Sequence, residues 1–356
     1  MQAAADTEDL QVGLIGFGYA SQTFHAPLIT TTPGLRLAAV SSRDATRVHA
    51  ALGAGVAVLP TPAALIERDG LDLIVIASPN DSHHPLARAA LQAGRHVLVD
   101  KPFTLDAPQA RDLCALARQR GRLLSVFHNR RWDGDFMTVQ ELLRTGRVGR
   151  LRQAALHFDR FRPAVRERWR EGGGPGSGLW LDLGPHLMDQ ALQLFGAPLA
   201  LQADIATLRD GGRADDWFHA QLRYADGLRV HLHASMLAAL PGPRFALHGT
   251  RGSYCKAGLD TQEDALKAGH RPDPAAPAAW GRDPQDGQLV VGSADDLQAL
   301  AWPTQRGDYP AFYAALRDAL LGRGANPVSG EQAAEVMQWL DLGRRSAAEN
   351  RELSPD

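Results

Sequence analysis

The chain has 356 residues, of which 44% are apolar and 22% charged, and its formal net charge at pH 7 is −2. These values are typical of a soluble globular protein long enough for two domains, and they give no electrostatic reason to expect a nucleic-acid or membrane partner. Its two cysteines lack metal-type spacing, and no apolar run approaches the ~20 residues of a membrane span. We therefore expect a cytoplasmic protein without a metal site, and a frayed acidic tail over residues 1–9 rather than a signal peptide.

The first predicted strand, over residues 11–16, runs into a glycine-rich turn. A turn of this kind between a strand and a helix can hold the pyrophosphate of a dinucleotide, because backbone N–H groups face the phosphates. Ser21 stands where the full fingerprint has a third glycine, so the motif is incomplete. Its place ahead of strand–helix alternation favours a dinucleotide site over a plain tight turn. The expected cofactor-binding residues are Gly16, Phe17, Gly18, Tyr19 and Ala20.

The second predicted strand, over residues 35–40, ends in Ser41, Ser42 and Arg43. At this position an NAD-binding fold normally has an acid for the ribose 2′-hydroxyl, whereas arginine suits the 2′-phosphate of NADP. The first acid comes only at Asp44. The sequence therefore predicts NADP rather than NAD, with a solvated Arg43 at a helix start as the alternative.

A continuous apolar run over residues 71–77 predicts a parallel strand buried on both faces. Ser78, Pro79 and Asn80 follow it at the carboxyl edge of the sheet, where ligands bind in open α/β folds. His83 precedes a helix predicted over residues 85–93. It is a candidate contact of the nicotinamide end of a cofactor, although a histidine near a helix start is more often a capping or surface group.

The next strand, over residues 96–99, ends in Asp100, Lys101 and Pro102. Only three of the 38 Lys and Arg residues are lysines, and one of them is Lys101. A partly buried lysine can give up its proton near neutral pH, whereas arginine cannot. Lys101 is therefore a candidate for proton transfer, and Asp100 and Lys101 for cofactor contact, against the alternative of an ordinary surface charge.

A helix over residues 107–120 and a strand over 122–127 continue the alternation, which predicts a doubly wound parallel sheet in an α/β protein. His128, Asn129 and Arg130 follow this sixth strand at the same edge and are candidate substrate contacts. We place the dinucleotide-binding domain at residues 8–128 and a substrate and oligomerisation domain at 129–356.

The second domain is expected to contain a large, open, mostly antiparallel sheet after a helix over residues 136–144. The predicted strands cover residues 152–158, 200–208, 217–224, 227–235, 244–249 and 253–256. Residues 261–301 are rich in Pro, Gly and Asp and predict an irregular excursion. Helices follow over residues 310–321 and 330–349. Ser329 is the expected cap of the last helix, which is a candidate to pack back on the first domain.

A second cluster of polar residues follows the glycine-rich stretch 172–178. In a helix predicted to begin near Asp182, that residue and His186 are four apart and share one face, with Asp189 a turn further on. A histidine oriented by nearby groups is a good proton carrier. A helix surface pair and a metal ligand set are the alternatives.

These motifs resemble those of the Gfo/Idh/MocA oxidoreductase family. The resemblance rests on Gly16-Phe17-Gly18, on Asp100-Lys101-Pro102, where the family usually has Glu-Lys-Pro, and on Asp182-x-Gly184-x-His186-x-x-Asp189. It covers nearly the whole chain and implies an N-terminal Rossmann domain and a C-terminal α/β domain built on a large sheet. Residues 125–133, 158–170 and 252–264 resemble a subgroup that contains NADP-dependent scyllo-inositol dehydrogenases.

The resemblance implies that Lys101, Asp182 and His186 form the catalytic trio of a dehydrogenase acting on a polyol or sugar alcohol. His186 is then the general base, Lys101 stabilises the substrate oxygen and Asp182 positions the substrate, although the roles of Lys101 and His186 can be exchanged. The segment 157–170 is expected to frame the substrate, or else to be a solvated basic loop. The expected substrate contacts are His128, Asn129, Arg130, Arg160, Arg162, Trp169, Arg170, Asp182 and His186.

Two other functions remain open at this point: a non-catalytic dinucleotide or sugar sensor, and a redox-assisted glycosidase that retains tightly bound NAD. The intact trio argues against the first, and Ser41-Ser42-Arg43 argues against the second. An open antiparallel sheet often pairs with its twin, so we expect a homodimer, with a tetramer as the alternative.

Overall fold

The computed structural model describes residues 9–355, which form two β-sheets with helices packed against them. Most of the predicted tail, and residue 8 at the start of the first predicted domain, lie outside the described residues. No helix within residues 9–355 is both long enough and apolar enough to cross a membrane.

The first sheet has six parallel strands in the spatial order β3-β2-β1-β4-β5-β6. This is the predicted doubly wound sheet, and the short third strand is the one that the sequence analysis did not include. The strands are β1 Leu10–Ile15, β2 Leu35–Ser41, β3 Ala57–Leu59, β4 Leu73–Ile76, β5 His96–Val99 and β6 Leu124–Val126. The α-helices between them are α1 Ala26–Thr30, α2 Ala45–Leu52, α3 Pro62–Ile66, α4 His83–Gln92 and α5 Ala107–Arg120.

Strand order reverses between β1 and β4, which lie side by side at the centre of the sheet. All four residues of β4 are fully buried, as expected for a parallel strand covered by helices on both faces. Loops leaving the carboxyl ends of β1 and β4 diverge to opposite sides and open a crevice there. This crevice is where the functional loops of the first sheet meet.

The second sheet has eight strands in the order β14-β13-β12-β11-β7-β10-β9-β8. β7 pairs in parallel with β10, and the remaining neighbouring pairs in the described chain are antiparallel, as the sequence predicts. The strands are β7 Leu151–His157, β8 Ala200–Ala206, β9 Trp217–Arg223, β10 Arg229–Ser235, β11 Phe245–Gly249, β12 Gly252–Lys256, β13 Gly287–Ser293 and β14 Asp296–Trp302. The accompanying helices are α6 Gly134–Arg144, α7 Leu179–Phe195, α8 Gln262–Lys267, α9 Tyr309–Leu320 and α10 Gly330–Glu349.

The prediction of an irregular excursion over residues 261–301 is wrong. That segment contains α8 and the hairpin formed by β13 and β14 at the edge of the second sheet. The side chains of β14 are exposed apart from the last, so this strand is held by backbone hydrogen bonds and has no buried apolar face. Hydrophobic periodicity therefore could not reveal it.

The predicted start of the helix near Asp182 is also wrong, since α7 begins at Leu179. Gly178 precedes it with φ +97°, a conformation that favours glycine. The first N–H groups of α7 are satisfied by Asp215: its backbone carbonyl accepts from Leu179 N at 2.8 Å, and its carboxylate accepts from Trp180 N at 2.6 Å. A cap supplied from a distant loop leaves no local sequence signature.

The last helix, α10, packs against α5 beside the first sheet and against α7 and β8 of the second. Ser329 caps it, as predicted, in a reciprocal capping box with Gln332. The buried indole of Trp180 in α7 donates to Leu340 O of α10 at 3.0 Å. A Cβ at Gly343 would lie only 2.3 Å from an atom of that indole. The absence of a side chain at Gly343 lets the helix that carries Asp182 and His186 approach α10 closely.

We therefore predict that Gly343→Ala lowers the free energy of unfolding by about 1–3 kcal/mol, the usual cost of overpacking a well-filled core. Helix propensity alone would favour alanine, so a loss of stability isolates the contact with Trp180. Gly55→Ala is the matched control, because a Cβ at Gly55 would meet no atom within 4 Å. Urea unfolding followed by tryptophan fluorescence measures both variants, and equal stability of Gly343→Ala and the parent would contradict the prediction.

Candidate active site

A cavity of about 410 Å³ lies between the carboxyl edge of the first sheet and α7 of the second domain. Its wall combines four parts of the chain that are distant in sequence. These are the turn after β1, the loops after β5 and β6, the segment 160–170 with the first turns of α7, and α8. The sequence predicted polar clusters in the first three parts, and the fold brings them to one place.

Lys101 and Asp182 form a direct bond between the two halves of this wall. Lys101 Nζ donates to the carboxylate Oδ1 and to the backbone carbonyl of Asp182, at 2.8 Å in each case. Their side chains are 13% and 19% exposed, so the pair is largely shielded from water. Burial alone would raise the pKa of Asp182, but the positive charges of Lys101 and Arg170 outweigh it and hold that pKa well below its usual value. Asp182 is therefore an anion whose partner is Lys101.

His186 lies one turn further along α7, with its ring in the cavity wall. Burial and the charges of Lys101 and Arg130 hold the pKa of His186 well below its usual value, so the ring is neutral near pH 7. Its Nδ1 atom is buried without a hydrogen-bond partner among the described residues. A neutral imidazole beside a lysine ammonium can accept a proton from a bound hydroxyl group.

Asp189, the last polar residue of the motif in α7, does not reach the cavity. Its carboxylate accepts from Arg131 Nε at 2.9 Å and pairs with another guanidinium nitrogen of Arg131 at 2.6 Å. The next residue, Gln190, donates to Arg130 O at 3.0 Å. These contacts attach α7 to the loop after β6 and so fix the position of His186 one turn earlier.

The turn after β1 has the shape that a dinucleotide requires. Gly16 has φ +90°, and a Cβ there would lie 2.8 Å from Ala77 O, so another residue would not fit. At Gly18 a Cβ would meet nothing within 4 Å, which leaves the backbone open to a ligand. Ser21, at the position of the missing third glycine, is buried and donates to Gly16 O at 2.8 Å. A small buried hydroxyl side chain thus holds the turn closed, and the residues present fit a pyrophosphate.

Ser41 is the last residue of β2, and Ser42 and Arg43 follow it. All three lie outside the cavity, as expected for the adenosine end of a cofactor. The first acid in this loop is Asp44. Its carboxylate accepts a hydrogen bond from Arg47 N at 2.9 Å and thereby caps α2. No hydrogen bond or ion pair within residues 9–355 engages the exposed Arg43 guanidinium. This arrangement leaves a cation, not a carboxylate, at the end of the second strand, where Rossmann folds commonly contact the ribose.

The residues after β4 serve mainly to join loops. Ser78 and Ser82 share a hydrogen bond of 2.6 Å between their hydroxyl groups, and Asn80 Nδ2 donates to Gly176 O of the second domain at 2.8 Å. His83 is buried, and its two ring nitrogens lie 2.8 Å from Pro102 O and 3.0 Å from Ser78 O. Instead of facing the cavity, His83 ties the loop after β4 to the loop that carries Lys101. Contact of Ser78, Pro79 or Asn80 with a cofactor stays a prediction.

Asp100 lies beneath Lys101 and shapes that loop. Its Oδ1 accepts from Lys101 N at 2.8 Å and lies 3.9 Å from His25 Nε2. Burial would raise the pKa of Asp100, but the nearby His25 ring and the charge of Lys101 lower it overall. The family motif usually has glutamate at this position. The shorter side chain of Asp100 suffices here because its carboxylate accepts from the backbone N–H of the next residue.

The three residues after β6 separate into two groups. Asn129 and Arg130 line the cavity, whereas His128 is buried behind it and burial lowers its pKa to about 4. The structure thus places His128 as a neutral support of the wall, not as the expected substrate contact. Arg130 pairs with Asp133 at 3.1 Å and with Glu263 at 2.6 Å.

Glu263 and Lys267, on α8, are wall residues that the sequence analysis missed. Glu263 accepts from the Tyr19 hydroxyl at 2.9 Å and pairs with Lys267 at 2.9 Å. Burial would raise its pKa, but the charges of Arg130 and Lys267 lower it to about 2. The Tyr19–Glu263 bond joins the cofactor turn to the second domain. The only sequence signal was the resemblance over residues 252–264, since α8 spans barely two turns.

The segment 160–170 forms the outer wall and contains the predicted substrate contacts Arg160, Arg162, Trp169 and Arg170, all of which line the cavity. Arg160 lies over the ring of Phe158 at 5.1 Å, and Arg170 over that of Trp169 at 4.7 Å. Arg168 Nε donates to Glu171 at 2.5 Å and helps to hold the loop.

Across residues 9–355 no three His, Cys, Asp or Glu side chains are grouped so that they could hold a metal ion.

Comparison with known proteins agrees with this geometry. Residues 10–128 match the model of the oxidoreductase family with an NAD-binding Rossmann fold, and residues 136–255 match the GFO/IDH/MocA C-terminal domain. The chain is 53% identical to the uncharacterized oxidoreductase YdgJ of Escherichia coli over 96% of this chain and 97% of that protein. It is 31% identical to scyllo-inositol 2-dehydrogenase (NADP(+)) IolW of Bacillus subtilis, over 97% and 96% of the two chains.

Among solved structures, the protein YPO2259 of Yersinia pestis superposes with a TM-score of 0.93 at 49% identity, over 99% of both chains. Both halves of the chain are thus matched by one group of proteins. The chain belongs to the Gfo/Idh/MocA family and is an NAD(P)-binding oxidoreductase.

Proposed function

We propose that this protein is an NADP-dependent dehydrogenase that oxidises a secondary alcohol of an inositol-like polyol or a sugar. The proposal rests on one observation: Lys101, Asp182 and His186 line the same cavity. Tyr19 and Ala20 of the dinucleotide turn line it as well. A bound nicotinamide would supply the hydride acceptor for such a reaction. The protein must then orient the alcohol and remove its hydroxyl proton.

The geometry supports distinct roles for the three residues. A lysine ammonium has three N–H donors, and the oxygen atoms of Asp182 take two of those on Lys101, which leaves one for the substrate oxygen. That bond would stabilise negative charge as the hydroxyl proton leaves. The neutral ring of His186 would accept the proton, and Asp182 would hold the ammonium in position.

The preference for NADP rests on the loop after β2. Arg43 is exposed and uncommitted, and Asp44 is engaged as a helix cap, so the loop offers a cation for a 2′-phosphate and no free acid for a 2′-hydroxyl. IolW, which is similar to this chain over nearly its whole length, is a scyllo-inositol 2-dehydrogenase (NADP(+)). Both observations favour NADP and a ring polyol.

Turnover can be measured with a panel of polyols and sugars that includes scyllo-inositol and myo-inositol. Initial rates at the absorbance band of reduced nicotinamide should show NADP⁺ reduction with a ring polyol and much slower NAD⁺ reduction. Arg43→Ala should weaken NADPH binding roughly ten-fold or more while leaving NADH binding unchanged, because a charge-assisted bond to the 2′-phosphate is lost.

Arg36→Ala is the control for this cofactor test, since Arg36 is an exposed arginine at the opposite end of β2. Titration of nicotinamide fluorescence gives both dissociation constants. A preference for NAD⁺ in the parent protein would refute the cofactor assignment and leave the oxidoreductase class unaffected. No NADP⁺ or NAD⁺ reduction with any alcohol, despite measurable cofactor binding, would count against a polyol dehydrogenase.

Lys101→Ala should reduce kcat by ~10²–10⁴-fold, the usual contribution of a positioned acid–base group, with little change in NADPH affinity. Lys101→Arg keeps the charge but cannot reproduce the compact ammonium, so it should remain strongly impaired. Steady-state rates and fluorescence titration separate the two effects. Unchanged turnover in Lys101→Ala would exclude a catalytic role for this residue.

The pH profile distinguishes the two assignments of the base. Because the pKa of His186 is depressed, its ring is already neutral above about pH 6.5, so kcat/KM for oxidation should be flat there and fall only toward acid pH. His186→Gln should remove the acid limb together with most of the activity. A rate that keeps rising above neutral pH would instead indicate that the ammonium of Lys101 must first lose its proton, and the base would then be Lys101.

A further inference from the structure

The cavity wall carries a large excess of positive charge. Among residues 9–355, eight basic side chains line it against three carboxylates, and the one histidine of this wall is neutral. The whole chain, by contrast, has a formal net charge of −2. A neutral polyol needs hydrogen-bond donors and acceptors, but it does not need a concentration of one sign of charge.

Five of these eight cations already have carboxylate partners. Lys101 and Arg170 face Asp182, Arg130 and Lys267 pair with Glu263, and Arg168 pairs with Glu171. These pairs account for all the carboxylates of the wall except Asp100, which is hydrogen-bonded within its own loop. Among the described residues, every carboxylate of the wall thus already has a closer partner than the remaining cations.

Arg160, Arg162 and Arg166 are the remaining three. Within the described chain none of their guanidinium groups has a hydrogen bond or ion pair, although Arg160 lies 5.1 Å from the centre of the Phe158 ring. All three line the same cavity. Partial burial, followed by the nearby charges of Arg160, Arg168 and Arg166, lowers the pKa of Arg162. Mutual repulsion of this kind is relieved when an anion binds among the guanidinium groups.

We propose that the substrate carries an anionic group, a carboxylate or a phosphate monoester, on its polyol or sugar ring, and that Arg160, Arg162 and Arg166 bind this group. The inference rests on the proposed function, because the cavity must hold the ring of an alcohol substrate. Guanidinium groups bind both kinds of anion through paired N–H donors.

The cofactor is the competing source of negative charge. The phosphates of NADP are expected at Gly16–Ser21 and at Ser41–Arg43, on the first sheet, whereas the three arginines belong to the segment between β7 and α7. We therefore expect a cofactor bound on the first sheet to leave the segment 160–166 for the substrate. The test below separates these two uses of the arginines.

Matched probes that differ only in charge test the inference. D-glucose is compared with D-glucuronate and D-glucose 6-phosphate, and myo-inositol with myo-inositol 1-phosphate. Isothermal titration calorimetry on the enzyme–NADPH complex measures binding without turnover, because alcohols cannot reduce a cofactor that is already reduced. At least one anionic probe should bind roughly ten- to hundred-fold tighter than its neutral counterpart, and added NaCl should weaken that preference.

Arg162→Gln should abolish most of this preference, and Arg160→Gln combined with Arg166→Gln should do the same. Arg36→Gln, which removes an equal charge at a distant exposed position, should leave it intact. Preference for the uronate alone would identify the substrates as sugar acids, and preference for the phosphates alone as sugar or polyol phosphates.

Equal binding of neutral and anionic probes, or no binding of any anionic probe, would overturn the inference. So would an Arg162→Gln variant that binds NADPH more weakly but keeps the preference among sugars, since the arginine would then serve the cofactor. Tight anion binding without NADP⁺ reduction by any probe would sustain the anion site and count against the dehydrogenase. The two proposals thus fail in distinguishable ways.

Discussion

The bond between Lys101 and Asp182 is the contact on which the site depends. It joins the loop after the fifth strand of one sheet to a helix that packs on the other, and both groups are largely removed from water. Burying two charges is costly, and a pair of this kind contributes little net stability compared with apolar residues of similar size. Its value lies in geometry, because an ammonium with two occupied donors has a defined direction for the third. Removing either partner would leave the other charge buried and unpaired.

The helix that carries Asp182 and His186 is held from several sides. Asp215 caps its first turn, Arg131 binds Asp189 further along, and Trp180 bonds to the carbonyl of Leu340 in α10. Each contact comes from a different part of the chain. A proton acceptor has to lie within hydrogen-bond distance of its donor, and small displacements of such a group are costly in rate. The rigid attachment of α7 therefore serves the chemistry as directly as the residues in the cavity do.

The charges of the cavity are arranged in two groups. Pairs at its base, such as Lys101 with Asp182 and Arg130 with Glu263, are mutually compensated and hold the wall in place. Arg160, Arg162 and Arg166 of the outer segment have no such partners among the described residues, and all three line the cavity. Low-dielectric walls strengthen electrostatic contacts with a bound molecule. The distribution of charge thus carries information on the substrate that the identity of the catalytic residues does not.

Much of this protein could be predicted from the sequence alone. The buried strands of the first sheet are continuous apolar runs, the glycine-rich turn follows the first of them, and a lysine in an arginine-rich chain marks the end of another. These signals are local, because strand burial and turn conformation depend on adjacent residues. The fold class follows from them, whereas the family, and the trio of Lys101, Asp182 and His186 with it, was implied by the resemblance of three short motifs.

The tertiary structure decided the features that depend on distant partners. The cap from Asp215 makes α7 begin earlier than the residues of the helix indicate. Strand β14 is held by pairing at the edge of the sheet and has no buried face. Glu263 reaches the site from a helix of only six residues. His83 and His128 have the residue type and position of ligand contacts, but packing places both outside the cavity wall. A sequence pattern reports which side chains are available and where strands end. Which of them face a common space, and which are paired before a ligand arrives, depends on contacts between segments far apart in the chain.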